Sequence, residues 1–224
     1  MDSEMEIMQQ GKYEIIPSII AKDQAELNDR IEKVSKYKKY IQLDIMDGVF
    51  VKNKSLMFNF KIPGQFKTEA HLMVVDPRAW IKKNSEKVNT VIVHKESPYF
   101  NECIQLSKAK KKKVGIALNP ETSIKELATI QEKIDKVLIM AVHPGDYGNR
   151  FLPQMTKKIK ELRHRFPDAD IEVDGGVNDK TIKKLYLAGA NKFIVGSFLQ
   201  KSRDIEKSIE KLETALNNFP KEGL

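Results

Sequence analysis

The stretch "YIQLDIMDGVF", residues 40–50, alternates in chemistry along its length. Read as a strand, it sends Ile41, Leu43 and Ile45 to one face and Gln42, Asp44 and Met46 to the other, since successive side chains of a strand point to opposite sides. Asp47-Gly48 then gives a turn signal. One face is wholly aliphatic, whereas the other carries an amide, a carboxylate and a thioether. Such a strand separates an apolar layer from a place where polar groups are wanted.

The rest of the chain supplies its partners. Further strand-like runs are "YEIIPSII" (13–20), "TEAHLMV" (68–74), "TVIVH" (90–94), "KVGIAL" (113–118), "KVLIMAV" (136–142), "DIEVDG" (170–175) and "NKFIVG" (191–196). Between them lie charged segments such as "DQAELNDRIEKVSKY", "SIKELATIQEKI" and "NDKTIKKLYLAG", whose apolar residues recur at helical spacing. Asp23, Ser97 and Asn178 stand where helix caps are expected, and "AGAN" (188–191) reads as a helix end turning into the last strand.

Strands alternating with helices at a period of roughly 25 residues predict an α/β fold with a parallel sheet. Eight such units in a chain of 224 residues fit a single closed (β/α)8 TIM barrel. An open doubly wound sheet is disfavoured because no GxGxxG follows the first strand. The barrel domain is placed at 13–224, with residues 1–12 read as an N-terminal extension. In a barrel, aliphatic faces belong outside, under the helices, and polar residues near the strands' C-terminal ends line the active-site mouth.

Composition narrows the function. The net charge of +8 is largely lysine, and "KAKKKK" (108–113) is the best argument for a nucleic-acid partner. No helix-turn-helix, zinc-finger or RNA-binding signature accompanies it, and cations just before the strand "VGIAL" suit a helix C-terminus. The expectation is therefore no nucleic acid, with the positive field drawing in anionic small substrates. No apolar run approaches the ~18 residues of a membrane helix, so no membrane partner is expected. "MDSEMEIMQQ" lacks the pattern of a signal peptide, and the single cysteine, Cys103, reads as a packing residue. Both point to a reducing, cytoplasmic location.

Other strands repeat the alternation of residues 40–46. Glu69, His71 and Met73 share a face opposite Ala70, Leu72 and Val74, and Asp174 ends the seventh strand. Asp44, His71 and Asp174 thus come from strands two, three and seven, each near the C-terminal end. Two carboxylates and an imidazole converging at a barrel mouth point to a divalent metal site or to paired acid/base residues. Glycines form a second cluster in "HPGDYGN" (143–149), "DGG" (174–176) and "GS" (196–197), after strands six, seven and eight. Loops there are a common phosphate site in barrels of this kind, because glycine lets backbone amides approach an anion closely.

These residues resemble the ribulose-phosphate 3-epimerase family. The likeness runs from about residue 14 to 200 and includes "PSI" (17–19), "LDIMDGVFVKN" (43–53), "HLMVVDP" (71–77), "VHKES" (93–97), "LNPETS" (118–123), "VLIMAVHPG" (137–145), "IEVDGGVN" (171–178) and "GANKFIVGS" (189–197). The resemblance implies a barrel that interconverts ribulose 5-phosphate and xylulose 5-phosphate, assembled as a dimer or hexamer. It implies one divalent metal, with Zn, Fe, Mn or Mg in view. Carried over residue by residue, Asp44 and Asp174 are the two acid/base carboxylates, and with His71 they are metal ligands. Ser18, Met46, His71, Met73 and Met140 are substrate contacts. Gly145, Gly148, Gly175, Gly176, Gly196 and Ser197 are the phosphate cradle.

Three positions depart from the family pattern. Gln42 stands where the family has a metal-ligand histidine, and an amide oxygen suits hard cations such as Mg²⁺ or Mn²⁺ better than zinc. The phosphate loop, usually PGFGGQ, reads "PGDYGN" (144–149), followed by Arg150, and Lys52 stands where the family usually has proline. Three readings follow: a pentulose 5-phosphate epimerase, an epimerase of a six-carbon ketose 6-phosphate, and a catalytically impaired sugar-phosphate-binding paralogue in which Gln42 has displaced the metal. Retention of Asp44 and Asp174 favours an enzyme, because carboxylates repel an anionic ligand that is only bound.

Overall fold

Residues 40–47 form the strand that their alternation predicts. It is one of eight parallel strands in the computed structural model, which describes residues 12–143 and 151–218. These are β1 (Glu14–Ile19), β2 (Tyr40–Asp47), β3 (Lys67–Met73), β4 (Thr90–His94), β5 (Lys113–Leu118), β6 (Lys136–Met140), β7 (Ile171–Asp174) and β8 (Lys192–Val195). Each pairs in parallel with the next, and β8 returns to β1, so the sheet closes into a (β/α)8 barrel. A two-residue segment, Lys54–Ser55, adds antiparallel to the top of β2 opposite Met46 and Asp47. Residues 1–11 lie outside the described residues.

The strands divide two compartments. Outside, Ile41, Leu43, Ile45, Ala70, Leu72, Val91, Val93, Ile116, Ile139 and Val173 form one continuous core with the helices. Inside, Ile16, Tyr40, Ile92, Ala117, Leu138, Met140, Val142 and Ile194 fill the barrel. Below that apolar plug sits a buried polar group. The Lys136 ammonium donates to the Tyr40 hydroxyl (2.7 Å), to Glu69 (2.6 Å) and to Glu172, and the Tyr40 hydroxyl donates to Glu69. Burial and the neighbouring Glu69 charge raise the pKa of Glu172.

The helices are α1 (Gln24–Ser35), α2 (Pro77–Asn84), α3 (Phe100–Ala109), α4 (Met155–Arg165), α5 (Ile182–Leu187), α6 (Ser197–Gln200) and α7 (Ile205–Asn217). Asp23 caps α1 as expected, accepting from the Glu26 N–H at 2.9 Å, while Leu27, Ile31 and Val34 turn one stripe onto the barrel. Cys103 is buried in α3, as its amphipathic stretch implies, and the lysine run 108–113 straddles the end of that helix.

Local departures have local causes. The segment "SIKELATIQEKI" (123–134) makes only a 3-10 turn over Ile124–Thr129, within which the Thr129 hydroxyl donates to the Glu126 carbonyl and after which Ile130 turns extended. Ser97 does not cap α3; that helix begins at Phe100 and has no side-chain cap. Asn178 holds the turn before α5, accepting from the Lys180 N–H at 2.8 Å, and Thr181 takes the cap position.

Candidate active site

The register of β2 and β3 sets Asp44 directly beside His71, and Gln42 beside Glu69. The β1–β2 register puts Ser18 beside Gln42, and the β6–β7 register puts Met140 beside Asp174. Closure of the barrel then brings Asp174 across to Asp44 and His71. One ligand atom from each of the three side chains lies within 4.8 Å of the other two. The His71 Nδ1 is 3.6 Å from Asp44 Oδ1 and 3.5 Å from Asp174 Oδ2.

The Gln42 amide stands between the two carboxylates. Its Nε2 donates to Asp44 at 2.7 Å and to Asp174 at 2.8 Å, which uses both of its hydrogens. Its Oε1 is buried without a hydrogen-bond partner. Burial raises the pKa of the Asp44 carboxyl and the facing Asp174 raises it further, against the opposing pull of His71 and Gln42. Burial disfavours charge on the His71 ring, but Asp174 and then Asp44 outweigh it and lift its pKa to about 9.

Two residues not singled out in the sequence complete the site. The His71 Nε2 meets the His94 Nε2 at 2.8 Å, with the rings 18° from parallel, and both rings are buried. On its other side the His94 Nδ1 lies 3.2 Å from the Glu96 carboxylate. Glu96 also accepts from the Asn119 N–H at 3.0 Å and from the Thr122 hydroxyl. Burial alone would raise Glu96, but His94, Thr122 and the Asn119 N–H overcome it and hold it at about 2. Burial lowers His94. "VHKES" contained both residues, yet neither lies on a polar-alternating strand face that would flag it.

The remaining expected contacts line the mouth or its wall. Met46 and Met73 pack with Val51, against Ile20 and Phe50, while Met140, beside Asp174, packs with the barrel's apolar filling. Asp47 accepts from the N–H groups of Val49 and Phe50 at 2.8 Å each and of Val75 at 2.7 Å, tying the loops after β2 and β3 together. Gly175 follows Asp174 with φ of +106°, and a Cβ there would meet Val142 Cγ2 at 2.4 Å, so only glycine fits. Gly176 follows it, and Gly196 precedes Ser197 at the start of α6. Gly145 and Gly148 lie outside the described residues.

A sequence model of the ribulose-phosphate 3 epimerase family matches residues 14–200. The chain belongs to the ribulose-phosphate 3-epimerase family. The ribulose-phosphate 3-epimerase of Schizosaccharomyces pombe is 32% identical over 213 residues, covering 90% of this chain and 93% of its own. That of Buchnera aphidicola is 34% identical over 220 residues, covering 92% and 96%. Among solved structures, 3-keto-L-gulonate-6-phosphate decarboxylase from Vibrio cholerae overlays with a TM-score of 0.67 at 9% identity, covering 93% of this chain and 98% of that one. At that identity the likeness speaks for the barrel alone. No helix among the described residues is long and apolar enough to cross a membrane.

The donor set of this epimerase-family site fits a divalent cation. Two carboxylates and an imidazole nitrogen face one point, and the His71 Nδ1 is buried there without a hydrogen-bond partner. Gln42 fits in one of its two amide orientations. A half-turn of the amide replaces its N–H groups by the Oε1, a fourth oxygen donor.

Proposed function

We propose that the protein interconverts D-ribulose 5-phosphate and D-xylulose 5-phosphate by moving a proton at C3. The observation that carries this reading is the Asp44–Asp174 pair. The two carboxylates reach one shared Gln42 Nε2 from strands on different sides of the mouth, so they can address one substrate carbon from two directions. One carboxylate removes the C3 proton and leaves an enediolate. The other delivers a proton to the opposite face, which inverts the centre. Burial makes the Asp44 carboxylate a stronger base than an exposed aspartate.

Asp44, His71 and Asp174 would hold the divalent cation, with Gln42 a fourth donor through Oε1. The chemistry such a cation supplies when bound is positive charge beside the enediolate oxygens. Met46, Met73 and Met140 give the reacting carbons a water-poor wall. Gly175, Gly176, Gly196 and Ser197, with Gly145 and Gly148, take the phosphate. Ser18, next to Gln42, contacts the sugar.

The Gln42 bridge also favours a second reading, a sugar-phosphate-binding paralogue that turns nothing over, because a metal displaces the amide hydrogens only if the amide turns. Incubation with ribulose 5-phosphate in deuterated water separates the two. Deuterium entering C3 and formation of xylulose 5-phosphate support the epimerase, and each of Asp44→Asn and Asp174→Asn should remove both. Turnover only on a ketohexose 6-phosphate would move the substrate to the longer sugar. Binding without exchange would make it the paralogue. A cytoplasmic location and a homodimer or homohexamer complete the proposal, the latter read by light scattering.

A further inference from the structure

We infer that Glu96 and His94 are positioning residues that hold a hydrogen on the His71 Nε2, so that Nδ1 is the ring nitrogen left to serve a cation beside Asp44 and Asp174. The inference rests on the reading of His71 as a metal ligand. It follows from counting donors along one line of contacts. The Glu96 Oε1 accepts from the Asn119 N–H and the Thr122 hydroxyl, so this carboxylate is held as an acceptor. Its other oxygen faces the His94 Nδ1 at 3.2 Å, which places a hydrogen on that nitrogen. A neutral imidazole carries one ring hydrogen, so the His94 Nε2 is then an acceptor. The only polar group it meets among the described residues is the His71 Nε2 at 2.8 Å, which therefore donates. With a hydrogen held on Nε2, the His71 nitrogen left for a ligand is Nδ1.

That end state matches the site. The Nδ1 is buried, has no hydrogen-bond partner, and stands 3.5 Å and 3.6 Å from two carboxylate oxygens. Two carboxylates and one ring nitrogen facing one point suit a cation, whose place the ring's own second proton takes when none is bound. A carboxylate behind a ligand histidine sets its tautomer and ring orientation in many metal sites. Here a second histidine is interposed, and the same control passes through two rings. Phe50 packs on His94, with ring centroids 5.1 Å apart.

The substitution Glu96→Gln tests the direction of the line. The Gln carbonyl keeps the two contacts to Asn119 and Thr122, and its NH₂ then faces the His94 Nδ1. Every hydrogen in the line reverses, and His71, now accepting at Nε2, keeps its hydrogen on Nδ1. Two-bond ¹H–¹⁵N spectra of the histidine rings read this directly, with His94 assigned by its loss in His94→Gln. In the metal-free wild type, His94 should show the Nδ1–H pattern, and in Glu96→Gln the Nε2–H pattern. Zinc affinity, followed by calorimetry, should fall about 10- to 100-fold in Glu96→Gln. An Nε2–H pattern for His94 in the wild type overturns the inference. So does a folded Glu96→Gln with an unchanged pattern or unchanged zinc affinity. Because the wild-type pattern is read without metal, it decides the point even if Glu96→Gln does not fold. Should the rings behave as expected while the wild type takes up no zinc, the proton order stands and the reading of His71 as a ligand fails.

Discussion

Gln42 and Asp174, 132 residues apart in sequence, are joined by a 2.8 Å hydrogen bond across the barrel mouth. The same nitrogen holds Asp44. A neutral amide thus does part of what a cation does: it keeps two carboxylates close. It has no positive charge with which to stabilise an enediolate, so its presence should be felt in metal affinity. Gln42→His is expected to bind Zn²⁺ tighter, on the order of tenfold, because imidazole is the better ligand for that ion. Elemental analysis of the purified proteins and competition with a chelator check this. Equal zinc retention in both would mean that the position lies outside the coordination sphere.

Asp47 should give the protein an acid-sensitive element of stability. Burial tends to raise its carboxyl, but the N–H groups of Val75, Val49 and Phe50 win and lower it. A lowered folded-state value means that the stabilisation is fully present above the unfolded value of about 3.9 and is lost as pH falls through the folded one. Asp47→Asn should therefore cost about 1–2 kcal/mol at pH 7, modest because the group is partly exposed. The gap between the two proteins should close as the pH falls through the lowered folded value. Urea unfolding at a series of pH values measures it, and a gap constant with pH would show that the charge plays no part.

Lys136 is a single cation shared by two buried glutamates, Glu69 and Glu172, at the closed end of the barrel. Removing one partner of a buried ionic group leaves charge without compensation, at about 3–5 kcal/mol. Lys136→Met should lose stability on that scale, while the triple substitution of Lys136, Glu69 and Glu172 by apolar residues should recover much of it. Denaturant midpoints with unchanged slopes test the pair of expectations. If Lys136→Met is as stable as the parent, neither glutamate keeps a charge that needs the cation.

Gly175→Ala should impair phosphate binding more than the chemistry. The new methyl would strike Val142, and its φ of +106° is strained for any L-residue. Val142→Ala removes the two closest contacts of the first problem, leaving the Val142 Cβ at 3.0 Å, and leaves the second untouched. The expected result is a raised KM in Gly175→Ala that the double substitution only partly reverses. Full reversal would assign the whole effect to the clash.

Much of this was legible in the sequence. Eight runs of apolar or alternating residues became the eight barrel strands, because strand periodicity and parallel-sheet burial leave strong marks. The convergence of Asp44, His71 and Asp174 followed from their positions at strand ends once the barrel was assumed. What could not be read is what depends on side-chain direction. Gln42 was placed correctly, but which end of its amide meets the carboxylates is a matter of geometry. His94 ends a strand whose other residues are all apolar or small, and Glu96 sits beyond it in a loop, so neither declared itself. The 3-10 turn at Ile124–Thr129 has helical apolar spacing, and nothing in the sequence marks Ile130 as the point where the backbone turns extended.

The two-compartment wall of the barrel has a consequence for how this chain tolerates insertions and deletions. Along β2, Leu43 and Ile45 belong to the layer under the helices, while Gln42 and Asp44 belong to the mouth. Neighbours in the chain thus serve separate tasks. Substitutions can drift on one side without reaching the other. A single-residue deletion inside the strand has no such latitude, since it sends every following side chain through the wall: aliphatics into the mouth and carboxylates under the helices. Length changes in this protein are confined to its loops by the same alternation that opened residues 40–50 to reading.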